Sequence, residues 1–319
     1  MCIRDRYKDA RPFADFHGML DAVRPDAVFI GVPPEAHAAA QPPNDIELAC
    51  ANRGVHFFLE KPLAASPPEE LDDVARAVEQ ATADGLIVSV GYMFRYSRSI
   101  QKMRELIEQA PGGVRAVVAR YNCAYSEIVK PEWWDIRRSG GPIVEQATHF
   151  CDLARMLGGQ VDLATVRGVS IDPASQAAEL TDMPTDAEGK PFETPVPVEF
   201  RVPRATAAVW RFCNGAVGSL THAALLHGKK YESELEVWGD GLRMVLDDPY
   251  GRCRLLVRRP GSEQTETLDF ADDDAYLTED AAFLHAVRTS DASGIRSTYG
   301  DAMKTYRFTW AIRRATHAV

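Results

Sequence analysis

The sequence lacks several features that would mark whole classes of protein. No apolar run approaches the ~20 residues that a membrane-spanning helix requires, and no apolar segment typical of a signal peptide follows Met1. Basic residues are not in excess, because 36 Lys and Arg oppose 46 Asp and Glu, giving a formal net charge of −10. An acidic chain is poorly suited to a nucleic-acid or anionic membrane surface. We therefore expect a protein that binds neither nucleic acid nor membranes.

Paired cysteines are also absent. The six cysteines are Cys2, Cys50, Cys123, Cys151, Cys213 and Cys253. They form no C-x-x-C motif, and none has the spacing of a metal site. Scattered thiols of this kind are typical of a reducing cytoplasm. We expect a cytoplasmic protein without a metal site.

The first third of the chain alternates helices with strands. Amphipathic helices are predicted at 13–24, 45–53 and 66–83, the second with Asp45 as N-cap and the third opening on a Ser66–Glu69 capping box. Continuous apolar runs at 26–34, 55–59 and 86–90 predict strands buried on both faces of a sheet. This β-α-β-α-β order is typical of an α/β fold with a parallel sheet.

The chain beyond residue 94 follows a different pattern. Helices are predicted at 97–109, 143–157, 278–289 and about 299–316, and strands at 114–121, 206–213, 216–221, 233–238, 242–246, 253–258 and 265–270. Asn214-Gly215 predicts a type I′ hairpin turn, and 173–197 a long loop. We predict two domains, residues 1–94 and 95–319, the second an α+β domain with an open, mostly antiparallel sheet.

A lysine follows one predicted strand directly. The apolar run His56–Leu59 leads into Glu60-Lys61-Pro62 with no spacer. Ligands of open parallel sheets bind at the carboxyl ends of strands, and the fixed φ of proline restrains the chain there. The pattern predicts a functional Lys61; the alternative is a strand cap with a solvated lysine.

Three ionisable side chains follow Gly140-Gly141. On one continuous helix, Glu145, His149 and Asp152 are spaced i, i+4 and i+7 and share a face. A histidine tuned by carboxylates is suited to general acid–base catalysis, because its unperturbed pKa lies nearest to neutral pH. The alternatives are a solvated helix face and a metal site made of His149 and the two acids.

A turn ends the strand that precedes Lys61 in the chain. Residues 31–37 read Gly-Val-Pro-Pro-Glu-Ala-His. The segment is either an ordinary strand-to-helix turn or a loop beside a dinucleotide, which needs close approach of the backbone.

Together these residues resemble the Gfo/Idh/MocA family, the glucose–fructose oxidoreductase and inositol dehydrogenase-like enzymes. The resemblance covers nearly the whole chain from about Asp9 and rests on the segments 26–37, 54–62, 91–96, 140–155 and 280–287 in that order. It implies a Rossmann-type parallel sheet, an NAD or NADP cofactor, and a homo-oligomer formed through the open sheet of the C-terminal domain. It also implies hydride transfer between nicotinamide and a hydroxyl or carbonyl carbon of a sugar-like or cyclic polyol, a small-molecule substrate.

The family pattern carries roles over to individual residues. It implies that Gly31, Pro33, His37, Glu60, Lys61 and Pro62 meet the cofactor, with Glu60 at the nicotinamide ribose and Pro62 after a cis peptide bond. It implies that Lys61 lies by the reacting oxygen and that His149 transfers the proton. We expect Glu145 and Asp152 to orient or tune His149. The expected substrate-pocket residues are Lys61, Tyr92, Arg95, Trp133, Trp134 and Asp152, although Asp152 would serve equally as a structural hydrogen-bonding residue.

Two departures from the family pattern stand out. The inositol dehydrogenase-like members usually carry Asp four residues before the histidine, where this sequence has Glu145 followed by Gln146; the difference weakens the case for a polyol. The family opens with strand–G-x-G-x-x-G–helix, and no such motif precedes Asp26. We expect a fragment that lacks roughly 30–40 residues of a βαβ unit and binds dinucleotide poorly. The alternative function is a non-catalytic binding protein that retains the fold.

Overall fold

Two sheets organise the chain in the computed structural model, which describes residues 11–228 and 230–316. The first is parallel, in the order β1-β2-β3, and the second has eight strands, in the order β11-β10-β9-β8-β4-β7-β6-β5. The strands are β1 (Ala27–Ile30), β2 (His56–Leu59), β3 (Val88–Val90), β4 (Val114–Ala124), β5 (Val161–Ser170), β6 (Ala205–Phe212), β7 (Val217–Leu226), β8 (Tyr231–Gly239), β9 (Arg243–Asp247), β10 (Arg254–Arg258) and β11 (Thr265–Asp269). The α/β fold class is confirmed.

Helices connect and cover these sheets. They are α1 (Phe16–Val23), α2 (Ile46–Arg53), α3 (Asp72–Ala83), α4 (Arg98–Gln109), α5 (Ile136–Ser139), α6 (Pro142–Glu145), α7 (Thr148–Gly158), α8 (Ala275–Thr289) and α9 (Tyr299–Thr316). Short 3₁₀ turns lie between them, including Met93–Tyr96 and Pro131–Trp134.

The closing helices pack against the first sheet, although they lie far past residue 94. Tyr299 and Met303 of α9 share a hydrophobic core with Phe57 and Leu59 of β2. On the other side of β2, Phe283 of α8 packs against Phe58, with ring centroids 5.8 Å apart. The division at residue 94 therefore separates the two sheets but not their cores, and it stays a proposal.

The second sheet is covered by helices on one face only among the described residues. Trp210 and Phe212 of β6 point toward the core that α4, α7 and α9 close. On the opposite face Val209 and Val217 are about half exposed, at 54% and 51%. Strand β4 pairs in parallel with β7 and antiparallel with β8, so the sheet is mixed but mostly antiparallel.

The prediction of one helix at 143–157 is wrong in one respect. The structure has two helices there, α6 and α7. The N–H groups of Gln146 and Ala147 both donate to the Pro142 carbonyl oxygen, at 3.0 and 2.9 Å. This doubling interrupts the regular i→i−4 ladder. Glu145 therefore ends α6, whereas His149 lies in the first turn of α7, so they do not form one helical stripe.

Strand β5 was not predicted. It is an edge strand in which most positions are partly or fully exposed, and its apolar residues do not alternate strictly. The periodic pattern that identifies half-buried strands is therefore weak there.

Three local signals behave differently from expectation. Asp45 is the N-cap residue of α2 as predicted, but its side chain makes no capping hydrogen bond; its carboxylate instead lies 3.0 Å from His17 Nε2. Glu69 forms no capping box and pairs with Arg314 of α9. The hairpin at Asn214-Gly215 forms, but only Gly215 has a positive φ, at 90°, whereas a type I′ turn needs two such residues.

Candidate active site

The carboxyl ends of β1 and β2 lie side by side, because the strands pair in parallel with Ile30 opposite Leu59. The N–H of Glu60 donates to the Ile30 carbonyl oxygen at 2.9 Å, which extends the pairing past the strands. The following Lys61-Pro62 peptide bond is cis, as the family pattern predicts. These strand ends form one wall of a cleft of about 560 Å³.

Seven of the predicted site residues line this cleft. They are Gly31, Pro33, Glu60, Lys61, Pro62, Trp133 and Glu145. The wall opposite the strand ends comes from the segment between β4 and α6, so residues distant in the sequence meet there.

Lys61 reaches across the cleft to Glu145. Its Nζ donates to the Glu145 carbonyl oxygen at 2.8 Å and lies 3.5 Å from Oε1 of the same residue. The indole N–H of Trp133 donates to Glu145 Oε2 at 2.9 Å. Burial raises the pKa of Glu145, but the charge of Lys61 and the Trp133 hydrogen bond outweigh it, so the pKa falls below its usual range. Glu145 is thus ionised and holds the ammonium in place.

His149 lies in the first turn of α7 and is 6% exposed. The rings of Tyr92, Phe94 and Tyr250 stand nearly perpendicular to its imidazole, with centroids 5.9, 5.6 and 6.5 Å away. Burial, and then the nearby charge of Lys61, lower the pKa of His149 well below its usual value. Its Nδ1 is buried without a partner among the described residues, which leaves Nε2 as the nitrogen able to meet a ligand. The group is a neutral imidazole beside a fixed cation.

Arg95 and Asp152 lie in a buried ion-pair network away from the cleft. Arg95 donates through Nε to Asp152 Oδ2 at 2.7 Å and also pairs with Asp301 of α9 at 2.5 Å. The Thr305 hydroxyl donates to Asp152 Oδ1 at 2.8 Å. Because these partners occupy both side chains, the structure gives them a structural role that joins α7 to α9. The expectation that they contact substrate is not supported by their positions.

Two aromatic candidates are also fully buried. The Tyr92 hydroxyl lies 2.9 Å from Thr148 Oγ1, and Trp134 donates to the Ile128 carbonyl oxygen at 3.1 Å. Trp134 is 0% exposed and does not line the cleft. Its neighbour Trp133 does line it, although both were expected there.

His37 turns away from the cleft. Its Nδ1 lies 2.6 Å from Glu47 Oε1 in α2, and the same carboxylate accepts the Ala38 N–H at 3.0 Å. Both side chains are buried. Through this contact His37 fixes the turn after β1 instead of lining the cleft.

The strand-end wall has features that a bound dinucleotide requires of a protein, namely backbone open to close approach and a carboxylate. A Cβ added to Gly31 would meet nothing within 4 Å, so the backbone there is open to close approach. A Cβ on Gly91 would lie 2.9 Å from Glu60 Oε2, so a glycine gives the carboxylate its room. Burial raises the pKa of Glu60, Lys61 opposes this, and Asp280 adds to it. A carboxylate so placed can accept hydrogen bonds from ribose hydroxyls.

Several residues near the site were missed by sequence reasoning. His222 of β7 contacts Gln146, which lies between α6 and α7, because His222 Nε2 is 2.9 Å from Gln146 Oε1. Tyr250 packs near His149 and helps to line a second cavity of about 490 Å³. Glu279 of α8 is 2% exposed. Only the packing of helices, loops and strands that are distant in sequence brings these residues to the site, and no local motif marks them.

Two further searches covered the described residues. No group of three or more His, Cys, Asp or Glu side chains there is arranged to hold a metal ion. Within the same part of the chain, no helix combines the length and apolar character needed to cross a membrane.

Two family models match the chain. Residues 5–92 match one described as "Oxidoreductase family, NAD-binding Rossmann fold". Residues 95–242 match one described as "Putative oxidoreductase C terminal domain".

Individual proteins are similar over most of the chain. An uncharacterized protein of Schizosaccharomyces pombe is 39% identical over 295 residues, covering 92% of this chain and 70% of that protein. Myo-inositol 2-dehydrogenase of Thermotoga maritima is 23% identical, covering 91% and 78%. The structure of a levoglucosan dehydrogenase in complex with NADH and levoglucosan superposes with a TM-score of 0.75 at 21% identity, covering 98% of this chain and 84% of that one.

These matches agree with the cleft at the ends of β1 and β2. The matching family is described as NAD-binding. This match identifies NAD or NADP as the cofactor for the strand-end wall. The chain belongs to the Gfo/Idh/MocA family of oxidoreductases, whose characterised relatives include dehydrogenases of sugars and polyols.

Proposed function

We propose that this chain transfers a hydride between nicotinamide and a hydroxyl or carbonyl carbon of a sugar-like or cyclic polyol substrate. One observation carries the proposal: a lysine ammonium held by Glu145 lies beside the buried, neutral His149, at the edge of a cleft that fits a dinucleotide. Relatives named as myo-inositol and levoglucosan dehydrogenases support this substrate class.

The roles of the residues follow from their charges. The Lys61 ammonium stabilises negative charge that develops on the reacting oxygen. In oxidation, the hydroxyl proton passes to Nε2 of neutral His149, and in reduction the imidazolium returns it. Glu145 orients Lys61, whereas Glu60, Gly31, Pro33 and Pro62 shape the cofactor wall. The bound dinucleotide supplies or accepts the hydride.

Steady-state turnover tests the proposal, with the dinucleotide in large excess because the sequence predicts that it binds weakly. We expect oxidation of at least one of myo-inositol, levoglucosan and D-xylose with NAD⁺ or NADP⁺, followed as absorbance of the reduced nicotinamide. His149→Asn should lower kcat by about 10²- to 10⁴-fold, the usual effect of losing a general acid or base. Lys61→Met should lower kcat by about 10²- to 10³-fold, the usual effect of losing one electrostatic stabiliser. Circular dichroism should show that both variants remain folded.

A matched control and a contrary outcome complete this test. Lys102→Met removes a partly exposed lysine of α4 that pairs with Glu105, and it should leave kcat unchanged. Wild-type turnover in Lys61→Met or His149→Asn would refute the assigned roles. Binding of a sugar without any turnover would instead favour the non-catalytic binding protein.

We also propose a homo-oligomer formed through the outer face of the eight-stranded sheet. The apolar residues Val169, Val209, Val217 and Trp238 are exposed there, and a contiguous exposed apolar patch is typical of an interaction surface. A cytoplasmic location belongs to the same proposal, supported by the five free cysteines of the described residues.

A further inference from the structure

Gln146 occupies the break between α6 and α7, one residue after Glu145 and three before His149. Its side-chain oxygen, Oε1, lies 2.9 Å from His222 Nε2 and 3.4 Å from Cys123 Sγ. The side chain thus points from the cleft toward β4 and β7, where it meets two potential donors. The family pattern gives this position no role.

His222 determines which way the Gln146 amide is turned. It is 0% exposed and stacks on Tyr121 with an interplanar angle of 13°. Burial lowers the pKa of His222 to about 4, although Glu145 opposes the shift, so the ring is neutral and carries one N–H. Its Nδ1 has no partner among the described residues. If the proton is on Nε2, it is donated to Gln146, and only an acceptor is left unpaired at Nδ1. If the proton is on Nδ1, a buried N–H is left unpaired, which costs more free energy. We therefore assign the proton to Nε2.

Cys123 favours the same orientation. Burial raises the pKa of its thiol to about 12, opposed by the hydrogen bond to Gln146, so the S–H proton is present and can be donated. Two donors therefore converge on the amide oxygen. The amide nitrogen of Gln146 makes no hydrogen bond to the described residues and is not among their buried unpaired atoms. Its two N–H donors therefore remain without a protein partner, on the residue that directly follows Glu145 and precedes His149 by three positions.

We propose that the amide nitrogen of Gln146 donates a hydrogen bond to a second substrate oxygen, on the carbon next to the one that is oxidised. His222 and Cys123 are positioning residues, because they hold the amide with its nitrogen outward. The inference rests on the proposed function and narrows it: the substrate carries vicinal oxygens, and Gln146 selects for the second one. A side chain that only donates cannot accept from a substrate N–H.

The tautomer of His222 tests the orientation without any substrate. In ¹⁵N-labelled full-length protein, long-range ¹H–¹⁵N spectra should show His222 protonated at Nε2 at neutral pH. Protonation at Nδ1 would mean that the amide nitrogen faces His222, and this result would overturn the proposal whatever the enzyme oxidises.

Kinetics with deoxygenated analogues test the contact itself. The probe is whichever of levoglucosan, myo-inositol and D-xylose the wild type oxidises fastest, together with its monodeoxy analogues. Gln146→Leu should raise KM for the parent about 3- to 10-fold, the worth of one neutral hydrogen bond, and change kcat less. For the analogue that lacks the vicinal oxygen, the same substitution should leave KM unchanged. His222→Phe should raise KM for the parent in the same way.

Controls separate this inference from the proposed function. Gln80→Leu alters an exposed glutamine of α3 and should change nothing. Gln146→Met keeps the length of the side chain without any N–H donor, so it replaces Gln146→Leu if that variant fails to fold, and it should raise KM similarly. Equal KM increases for the parent and for every analogue would overturn the inference while leaving the proposed function intact. Absence of any turnover in the wild type would contradict the proposed function, and the inference would fall with it.

Discussion

In the proposed mechanism, the charge of Lys61 acts on His149 as well as on the substrate. Burial is the larger cause of the low pKa of His149, and the ammonium of Lys61 is the second. A neutral imidazole accepts protons at any pH above its pKa. Lys61 therefore extends the range over which His149 is a base toward acidic pH.

The pH dependence of turnover should reveal this coupling. In Lys61→Met, loss of the cation raises the pKa of His149 toward 6.5, so the acidic limb of the oxidation rate should move to higher pH than in the wild type. The measurement is kcat/KM from about pH 5 to pH 9, which reports groups of the free enzyme. An acidic limb at the same pH in both proteins would show that His149 is not the titrating base.

Glu279 should lower the free energy of unfolding at neutral pH. It is 2% exposed, and its Oε1 has no partner among the described residues. Burial, then the charges of Glu60 and Asp280, raise its pKa from 4.5 to about 9. The native state therefore binds a proton at pH 7 that the unfolded state releases, so this residue costs stability as pH rises above 4.5.

Replacing Glu279 by glutamine should remove that cost. Glu279→Gln should be near neutral at pH 4.5 and should stabilise by about 1.4 kcal/mol per pH unit above it, reaching about 3 kcal/mol at pH 7. Urea unfolding at several pH values measures the difference from the wild type. Asp280→Asn, at the exposed neighbour, should change stability far less. A Glu279→Gln effect that does not vary with pH would contradict the raised pKa.

Sequence reasoning located only some of the site at the residue scale. Lys61 and Pro62 were predicted because a strand end marks them locally. Gln146 and His222 are 76 residues apart, and they meet only because the break between α6 and α7 packs against β4 and β7. Arg95 and Asp152 were expected at the substrate, since the sequence does not show that Asp301 and Thr305 of α9 engage them.

At the scale of elements, α9 is the helix on which the first sheet depends. Its Met303 is 3% exposed within the core that contains Phe57 and Leu59, whereas the next residue, Lys304, is exposed. The two positions therefore form a matched pair on one helix.

Met303→Ala should lower the free energy of unfolding by about 2–5 kcal/mol, through lost burial and the cavity it leaves. Lys304→Ala should change it by less than about 0.5 kcal/mol. Chemical denaturation measures both. If Met303→Ala cost no more than Lys304→Ala, α9 would not be packed against the first sheet as described.

Most elements were predictable because their apolar residues recur with a helical or strand period. The break at Gln146 and Ala147 was not predictable, because the spacing of Glu145, His149 and Asp152 in the sequence is that of one continuous helix. Only the second hydrogen bond to the Pro142 carbonyl shows the interruption. The edge strand β5 was missed because most of its residues are partly or fully exposed. Its sequence therefore lacks the alternation of apolar and polar residues that predicts a strand.

At the scale of the whole molecule, the face of the eight-stranded sheet that no helix covers in the described residues is the proposed interface between two copies of the chain. Ala116 of β4 lies opposite both Val217 and Trp238, so the exposed apolar side chains form a row across neighbouring strands. Such a row on an open face can pair with the same row of a second copy around a twofold axis.

Charges placed in this row should prevent association. We expect the wild type to sediment with twice the mass of one chain and Val209→Glu and Trp238→Glu to sediment as single chains. Val23→Glu makes the same change at a half-exposed position outside the sheet, and it should leave the mass unchanged. Dimers that persist in both sheet variants would place the interface elsewhere.

The return of α9 to the first sheet has a consequence for synthesis. The Tyr306 hydroxyl donates to the Ser66 carbonyl oxygen, 240 residues earlier in the chain. At ribosomal rates of roughly 5–20 residues per second, on the order of ten seconds or more separate the two partners. During that interval, part of the surface of β2 and α3 stays exposed on the nascent chain, where chaperones would be needed to prevent aggregation.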